Sequence, residues 1–247
     1  SEGFEGFELY FQPIYNPQND KLSGAEALIR WNCSKYGFME PDKFIPLLEE
    51  SALIIPLGRW IINTAAKACN RWITSIPDFV MHINLSFVQI VKSNIVKDVL
   101  ENIERYSAAN NHYVFEITET IEMDQIPAVQ NVFKEFVKNE FRFAIDDFGT
   151  GYSNYGYMRD RTFDIVKVDR SFVTDIDKLK DNYLMVSFII KMAHEMGLHV
   201  CIEGVETKEE LSCVKRLGAD YIQGYYYGKP GPAYEFERLN FKGRINI

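Results

Sequence analysis

The chain has 247 residues, a formal net charge of −8, 47% hydrophobic residues and four cysteines. That length fits one large α/β barrel or two small domains, and no segment nears the ~20 unbroken apolar residues of a membrane span. The acidic balance, with no block of lysine or arginine, excludes non-specific binding to a nucleic-acid polymer, which requires a basic surface.

From the N-terminus, no signal peptide opens the chain, and "SEGFEGFELYF" reads as the edge of a domain cut from a longer protein. Strands are predicted at 8–14 and 23–31, followed by helices at 41–50 and 58–73. The rest alternates: strand 80–85 and helix 92–106, strand 113–118 and helix 125–139, strand 141–146 and helix 153–159, strand 163–168 and helix 181–196, strand 198–203 and helix 207–217, strand 219–223 and helix 232–239. Pro41, Ser93, Asp181 and Thr207 suit helix starts, and Gly197 and Gly218 fall where helices should stop. Alternation of this kind is the signature of βα units around a parallel sheet, and eight pairs without a linker predict a single-domain α/β fold, a (β/α)8 TIM-like barrel spanning 1–247. An open doubly wound sheet is less suited, since no G-x-G-x-x-G follows the first strand.

Polar residues gather where these strands end. Strand two carries Glu26 and Arg30, strand three ends in Asn84, strand four holds Glu116 and Glu119, and strand five stops at Asp146 and Asp147. Strand six holds Lys167 and Asp169, strand seven ends in Glu203 and Glu206, and strand eight ends in Gln223. All such ends share one face of a barrel, where barrel enzymes place their chemistry. Any one of these residues alone reads as a solvated or paired side chain. Glu116 lies in an otherwise apolar strand and needs a partner if buried, while Lys167, between Val166 and Val168, must point opposite to them.

The stretch "AIDDFGTGYSN" at 144–154 sets two carboxylates side by side, which repel unless cations or donors intervene. A helix-capping turn is one reading and a metal site the other. The cysteines Cys33, Cys69, Cys201 and Cys213 are scattered and read as reduced, buried residues, and the four histidines have no His-x-x-x-His spacing. Acids and an asparagine on one rim, without histidine or cysteine, form a hard-oxygen cage suited to Mg²⁺ or Mn²⁺ rather than Zn²⁺.

In order along the chain stand "FQPI", "EAL" (Glu26, Ala27, Leu28), "FIPLLEESALIIPLGRW", "NLS", "EITE", "DDFGTGYS", "VKVDRSF", "IEGVET" and "QGYYYGKP". With these motifs the chain resembles the EAL domain family of cyclic di-GMP phosphodiesterases over nearly its whole length. The resemblance implies a (β/α)8 barrel that hydrolyses cyclic di-GMP to linear pGpG with two Mg²⁺ or Mn²⁺ ions. It implies that Glu26, Asn84, Glu116 and Asp146 bind one metal, and that Asp146 bridges to a second held also by Asp147 and Glu203. Lys167 would touch the attacking water, Arg30 and Gln223 the phosphate region, and Gln12 and Leu28 the substrate. Glu119 would pin the 147–154 loop, which in this family also shapes a homodimer contact.

The chain departs from the family pattern at Phe11, in "NCSKYGFME", and at Asn154 and Tyr155, but not at any metal-ligand position. A bacterial cytoplasmic location is expected, alone or as the cytoplasmic part of a larger membrane-anchored protein, with no membrane contact from this domain. Two other readings remain: an inactive receptor that binds cyclic di-GMP without cleaving it, and an unrelated barrel lyase using Lys167 as base. The lyase shares the acid cage but gives no reason for the motif order.

Overall fold

A computed structural model describes residues 4–118, 127–150 and 162–241. It begins with an antiparallel hairpin, β1 (Phe7–Asn16) and β2 (Lys21–Cys33), paired from Phe7↔Trp31 to Asn16↔Lys21. The short β3 (Gly37–Met39) folds back on β2. Five central strands follow, β4 (Val80–Asn84), β5 (Tyr113–Thr118), β6 (Arg142–Phe148), β7 (Ile165–Val168) and β8 (His199–Ile202), and then β9 (Tyr221–Gln223). Strands β2, β4, β5, β6, β7, β8 and β9 are joined in parallel, in that order. β1 lies antiparallel between β9 and β2 and closes the ring of eight, with β10 (Gly231–Pro232) beside it.

The antiparallel first strand departs from the expected run of parallel βα units. Only residues 17–20 connect β1 to β2, and a parallel crossover needs about a dozen residues or more. A turn that short can only make a hairpin.

The helices α1 (Pro41–Glu50), α2 (Ile54–Trp72), α3 (Phe87–Lys92), α4 (Ile95–Ile103), α5 (Pro127–Lys138), α6 (Lys180–Glu195), α7 (Lys208–Leu217) and α8 (Ala233–Asn240) surround the strands. The helix expected over 92–106 is the shorter α4, preceded by α3, which was not expected; Ser93 ends α3 where it was expected to start a helix. Ser86 opens α3 through a capping box with Gln89, Ser93 ends it, and the Asn94 side chain accepts from Lys97 N at the start of α4. Asp181 lies in the first turn of α6 and does not cap it. Thr207 does open α7, through a capping box with Glu210, and Gly218 closes it at φ +88°. The helix expected at 153–159 lies outside the described residues.

Two apolar cores result. The larger fills the space between strands and helices, with Trp72, Phe79, Phe115, Phe136 and Phe143 fully buried; each large buried side chain contributes about 1.5–3 kcal/mol. Trp72 also donates through Nε1 to Glu237 Oε1 at 2.8 Å, which fastens α8 to α2. The smaller core, Ile14, Val114, Ala144, Ile165 and Cys201, plugs the inside of the barrel near its base. All four cysteines are buried and free, as expected. No helix among the described residues is long and apolar enough to cross a membrane.

Candidate metal and phosphate site

Side chains on a strand alternate between faces, so the plug inside the barrel predicts what lies above it. Two residues beyond Val114, Ala144, Ile165 and Cys201 come Glu116, Asp146, Lys167 and Glu203; β1 runs the other way, and two residues before Ile14 comes Gln12. Glu26, His82 and Gln223 take the same place on β2, β4 and β9. Each of the eight barrel strands thus sends a polar side chain toward the interior, one layer above the plug. On β2, Ala25, Ala27 and Ile29 pack outward into the larger core while Glu26, Leu28 and Arg30 share the opposite face.

Lys167, only 1% exposed, sits at the centre. Its Nζ lies 2.7 Å from Glu116 Oε2, 2.8 Å from Glu203 Oε1, 3.0 Å from Asp146 Oδ1 and 3.4 Å from Glu26 Oε2. Glu26 accepts further hydrogen bonds from Asn84 Nδ2 and from Gln223 Nε2, each at 2.6 Å. Gln223 Nε2 also reaches Gln12 Oε1 at 3.1 Å, and Gln12 Nε2 donates to Gly228 O at 3.3 Å. The second oxygen of Glu116 lies 2.7 Å from His82 Nδ1.

Burial opposes the charge on Lys167, but Asp146, Glu116, Glu203 and Glu26 together hold its ammonium well above the usual lysine range. Burial also opposes the charge on Glu26, yet Lys167 and the amides of Gln223 and Asn84 bring its carboxyl down to about 2. Glu203 has fewer donors, and burial pushes it up to about 8. Burial, reinforced by Glu26, holds Glu116 well above the usual carboxylate range, and burial with Asp146 raises Asp147. One ammonium does not balance this many acids.

The surplus fits divalent cations. Asp146, Asp147 and Glu203 each offer an oxygen, and these lie within 4.8 Å of one another. Asp146 Oδ1 is buried without a hydrogen bond, its cationic neighbour being Lys167. All donors are oxygen or amide groups, the set preferred by Mg²⁺ and Mn²⁺. Asp147 stands in the left-handed region at φ +54°, and Gly149 follows at φ +98° with no room for a Cβ, which would lie 2.7 Å from the Phe172 ring. This backbone turns the second aspartate back toward the first instead of along the strand.

The structure therefore brings Gln12, Glu26, Asn84, Glu116, Asp146, Lys167, Glu203 and Gln223 together, with Asp147 at the edge. Asn84 presents its nitrogen to Glu26, so ligation through its oxygen requires the amide to turn. Arg30 is half-buried over the Tyr10 ring at 5.7 Å, its Nη1 on Ile29 O, at the mouth and outside the carboxylate cluster. Leu28 is partly exposed on the same face. Glu119 lies outside the described residues. His82 is the site residue that sequence reasoning missed: it has no metal-ligand spacing, yet its place two residues before Asn84 in "HIN" puts it on the same face.

Known proteins are similar to this chain over most of its length. The family model described as "EAL domain" matches residues 4–230. The chain is 32% identical over 233 residues to the cyclic di-GMP phosphodiesterase PdeL of Escherichia coli K12, covering 93% of this chain and 64% of PdeL. It is 31% identical over 226 residues to the bifunctional diguanylate cyclase/cyclic di-GMP phosphodiesterase MucR of Pseudomonas aeruginosa, covering 91% of this chain and 33% of MucR. The chain spans about a third of the length of several curated relatives. The structure of the EAL enzyme Bd1971 in its cAMP- and cyclic-di-GMP-bound form superposes with a TM-score of 0.90 at 35% identity, covering 95% of this chain and 65% of that one.

Proposed function

The chain belongs to the EAL domain family, and from that premise we propose that it is a metal-dependent phosphodiesterase that hydrolyses cyclic di-GMP to linear pGpG. The observation that carries this reading is the acid cluster of Glu26, Glu116, Asp146 and Glu203 around Lys167, with Asp147 beside Asp146 and Glu203. Glu26, Asn84, Glu116 and Asp146 would hold one Mg²⁺ or Mn²⁺, and Asp146, Asp147 and Glu203 the other. Bound there, the cations would acidify a water and offset the phosphate charge.

The remaining steps belong to the chain's own side chains. Arg30, at the mouth, is placed to take a phosphate oxygen in a charge-assisted bond. Gln12 and Gln223, on the neighbouring strands β1 and β9, orient the substrate. Lys167 would orient the attacking water and holds its carboxylate neighbours together against their mutual repulsion. As the P–O bond breaks, the ammonium also offsets charge at the reaction centre.

The second messenger belongs to bacterial signalling, so the proposed setting is the bacterial cytoplasm. A homodimer is part of the proposal. Leu184, Met185 and Phe188 stand exposed on α6, where with Phe148 and Phe172 they line an apolar groove of 490 Å³ beside the loop after β6. Incubating the purified chain with cyclic di-GMP and Mn²⁺ and separating the products by chromatography tests the activity. Linear pGpG is the expected product. Tight binding with no product under Mg²⁺ or Mn²⁺ would make the chain a receptor instead.

A further inference from the structure

We infer that His82 is a positioning residue for the metal site: it holds one oxygen of Glu116 so that the other faces the cations. The inference rests on the proposed reading of Glu116 as a ligand. His82 is 4% exposed and sits in the middle of β4, beside Glu26 in the strand register, with Nδ1 2.7 Å from Glu116 Oε1. Glu116 Oε2 points the opposite way, to Lys167 Nζ at 2.7 Å, in the centre of the acid cluster. The carboxyl is thus held at both oxygens, one by a fixed ring and one by a flexible ammonium that can yield to a cation.

A ligating carboxylate is ionised and can only accept, so the bond requires the proton on Nδ1. The rest of the ring lines a 290 Å³ cavity at the base of the barrel that also touches Arg142 and Tyr221. Without the donor, Glu116 Oε1 would be a buried acceptor with no partner, and the carboxylate would be free to rotate away from its metal. Partners of this kind typically change metal affinity or activity about 10–100-fold.

Three proteins decide the matter: the parent, His82→Leu, which removes the donor, and His82→Asn, whose amide nitrogen can replace Nδ1. Mn²⁺ binding is measured by calorimetry on the metal-free proteins, alongside melting in EDTA and steady-state hydrolysis. We expect His82→Leu to bind Mn²⁺ about 10–100-fold more weakly and to lose kcat by a similar factor, with KM for cyclic di-GMP within a few-fold. His82→Asn should recover most of both. If His82→Leu does not fold, His82→Ala replaces it in the same comparison. A donor-less variant that binds Mn²⁺ like the parent, or an Asn variant as weak as the donor-less one, overturns the inference. A parent that binds Mn²⁺ but forms no pGpG overturns the phosphodiesterase reading alone, and the calorimetric comparison still decides the role of His82. A parent that binds no Mn²⁺ overturns both.

Discussion

Asn84 donates from Nδ2 to Glu26 Oε1 at 2.6 Å, so two side chains from adjacent strands, both expected on one cation, hold each other. Their surroundings differ. Glu26 is buried and also accepts from Gln223, whereas Asn84 is exposed at the rim. Asn84→Ala should therefore cut hydrolysis steeply and leave the melting midpoint in EDTA almost unchanged. Glu26→Ala should cut hydrolysis as far and lower that midpoint as well, because it strands buried donors at about 1–3 kcal/mol each. Product assays and thermal melts on the two variants check both halves. Full turnover in Glu26→Ala would remove Glu26 from the metal set.

The metal-free chain should lose stability as pH rises toward 8. Glu203 in the folded chain is pushed up to about 8 from an ordinary value of 4.5, so the folded state binds this proton more tightly than the unfolded one. Its contribution is present below about 4.5 and is lost as pH rises to about 8. Glu116 and Asp147 are raised too and act in the same direction. Glu26, down at about 2, and His82, down at about 3, act oppositely, but only below their ordinary values of 4.5 and 6.5. Saturating Mn²⁺ needs the ionised carboxylates, so the metal-induced rise in melting midpoint should grow as pH rises toward 8. Melting curves between about pH 6.5 and pH 8, with EDTA and with Mn²⁺, read this out. A flat EDTA series would show that the acids are not carrying the strain described.

Calcium should support substrate binding without cleavage. Mg²⁺ and Mn²⁺ take compact octahedral sites, whereas Ca²⁺ is larger and accepts looser, higher coordination. Asp146, Asp147 and Glu203 offer the ligand oxygens, and an ion of looser coordination there would hold the water and the phosphate less strictly in place. Calorimetry with cyclic di-GMP in Ca²⁺ should give a binding isotherm, and chromatography should find no pGpG. Ca²⁺ matching Mg²⁺ as an activator would sink the tight two-ion geometry.

Much of this site could be read from the sequence because period-two alternation and the barrel's polarity are local rules. "VKV" places Lys167 opposite two core valines, and "FEIT" does the same for Glu116; the structure supplies the partner each lacked, namely the other. The antiparallel β1 was also implied, by a four-residue turn at 17–20 too short for a crossover, but the alternation of elements masked it. His82 was harder. Nothing in its spacing marks a ligand, and its importance comes from which side chain the neighbouring strand β5 brings beside it. Strand register is a long-range property that no local pattern of "VMHIN" contains.

Lys167 separates an enzyme from a receptor. Four carboxylates surround its ammonium at 2.7 to 3.4 Å, and they keep it charged although it is buried. Removing it from the metal-free chain leaves those acids facing one another, so Lys167→Ala should melt lower in EDTA than the parent. Mn²⁺ replaces the lost positive charge and should close most of that gap. Catalysis should not be restored, since a side chain that orients the water or handles its proton is worth about 10²–10⁴-fold in rate. Phosphate contacts at Arg30 and on the cations remain. The variant should therefore lose at least about a hundredfold in hydrolysis while binding cyclic di-GMP within a few-fold of the parent. Calorimetry in Ca²⁺ measures the binding and product analysis in Mn²⁺ the rate. A variant that cleaves at the parental rate would confine Lys167 to charge balance, and loss of binding together with cleavage would make it a substrate anchor.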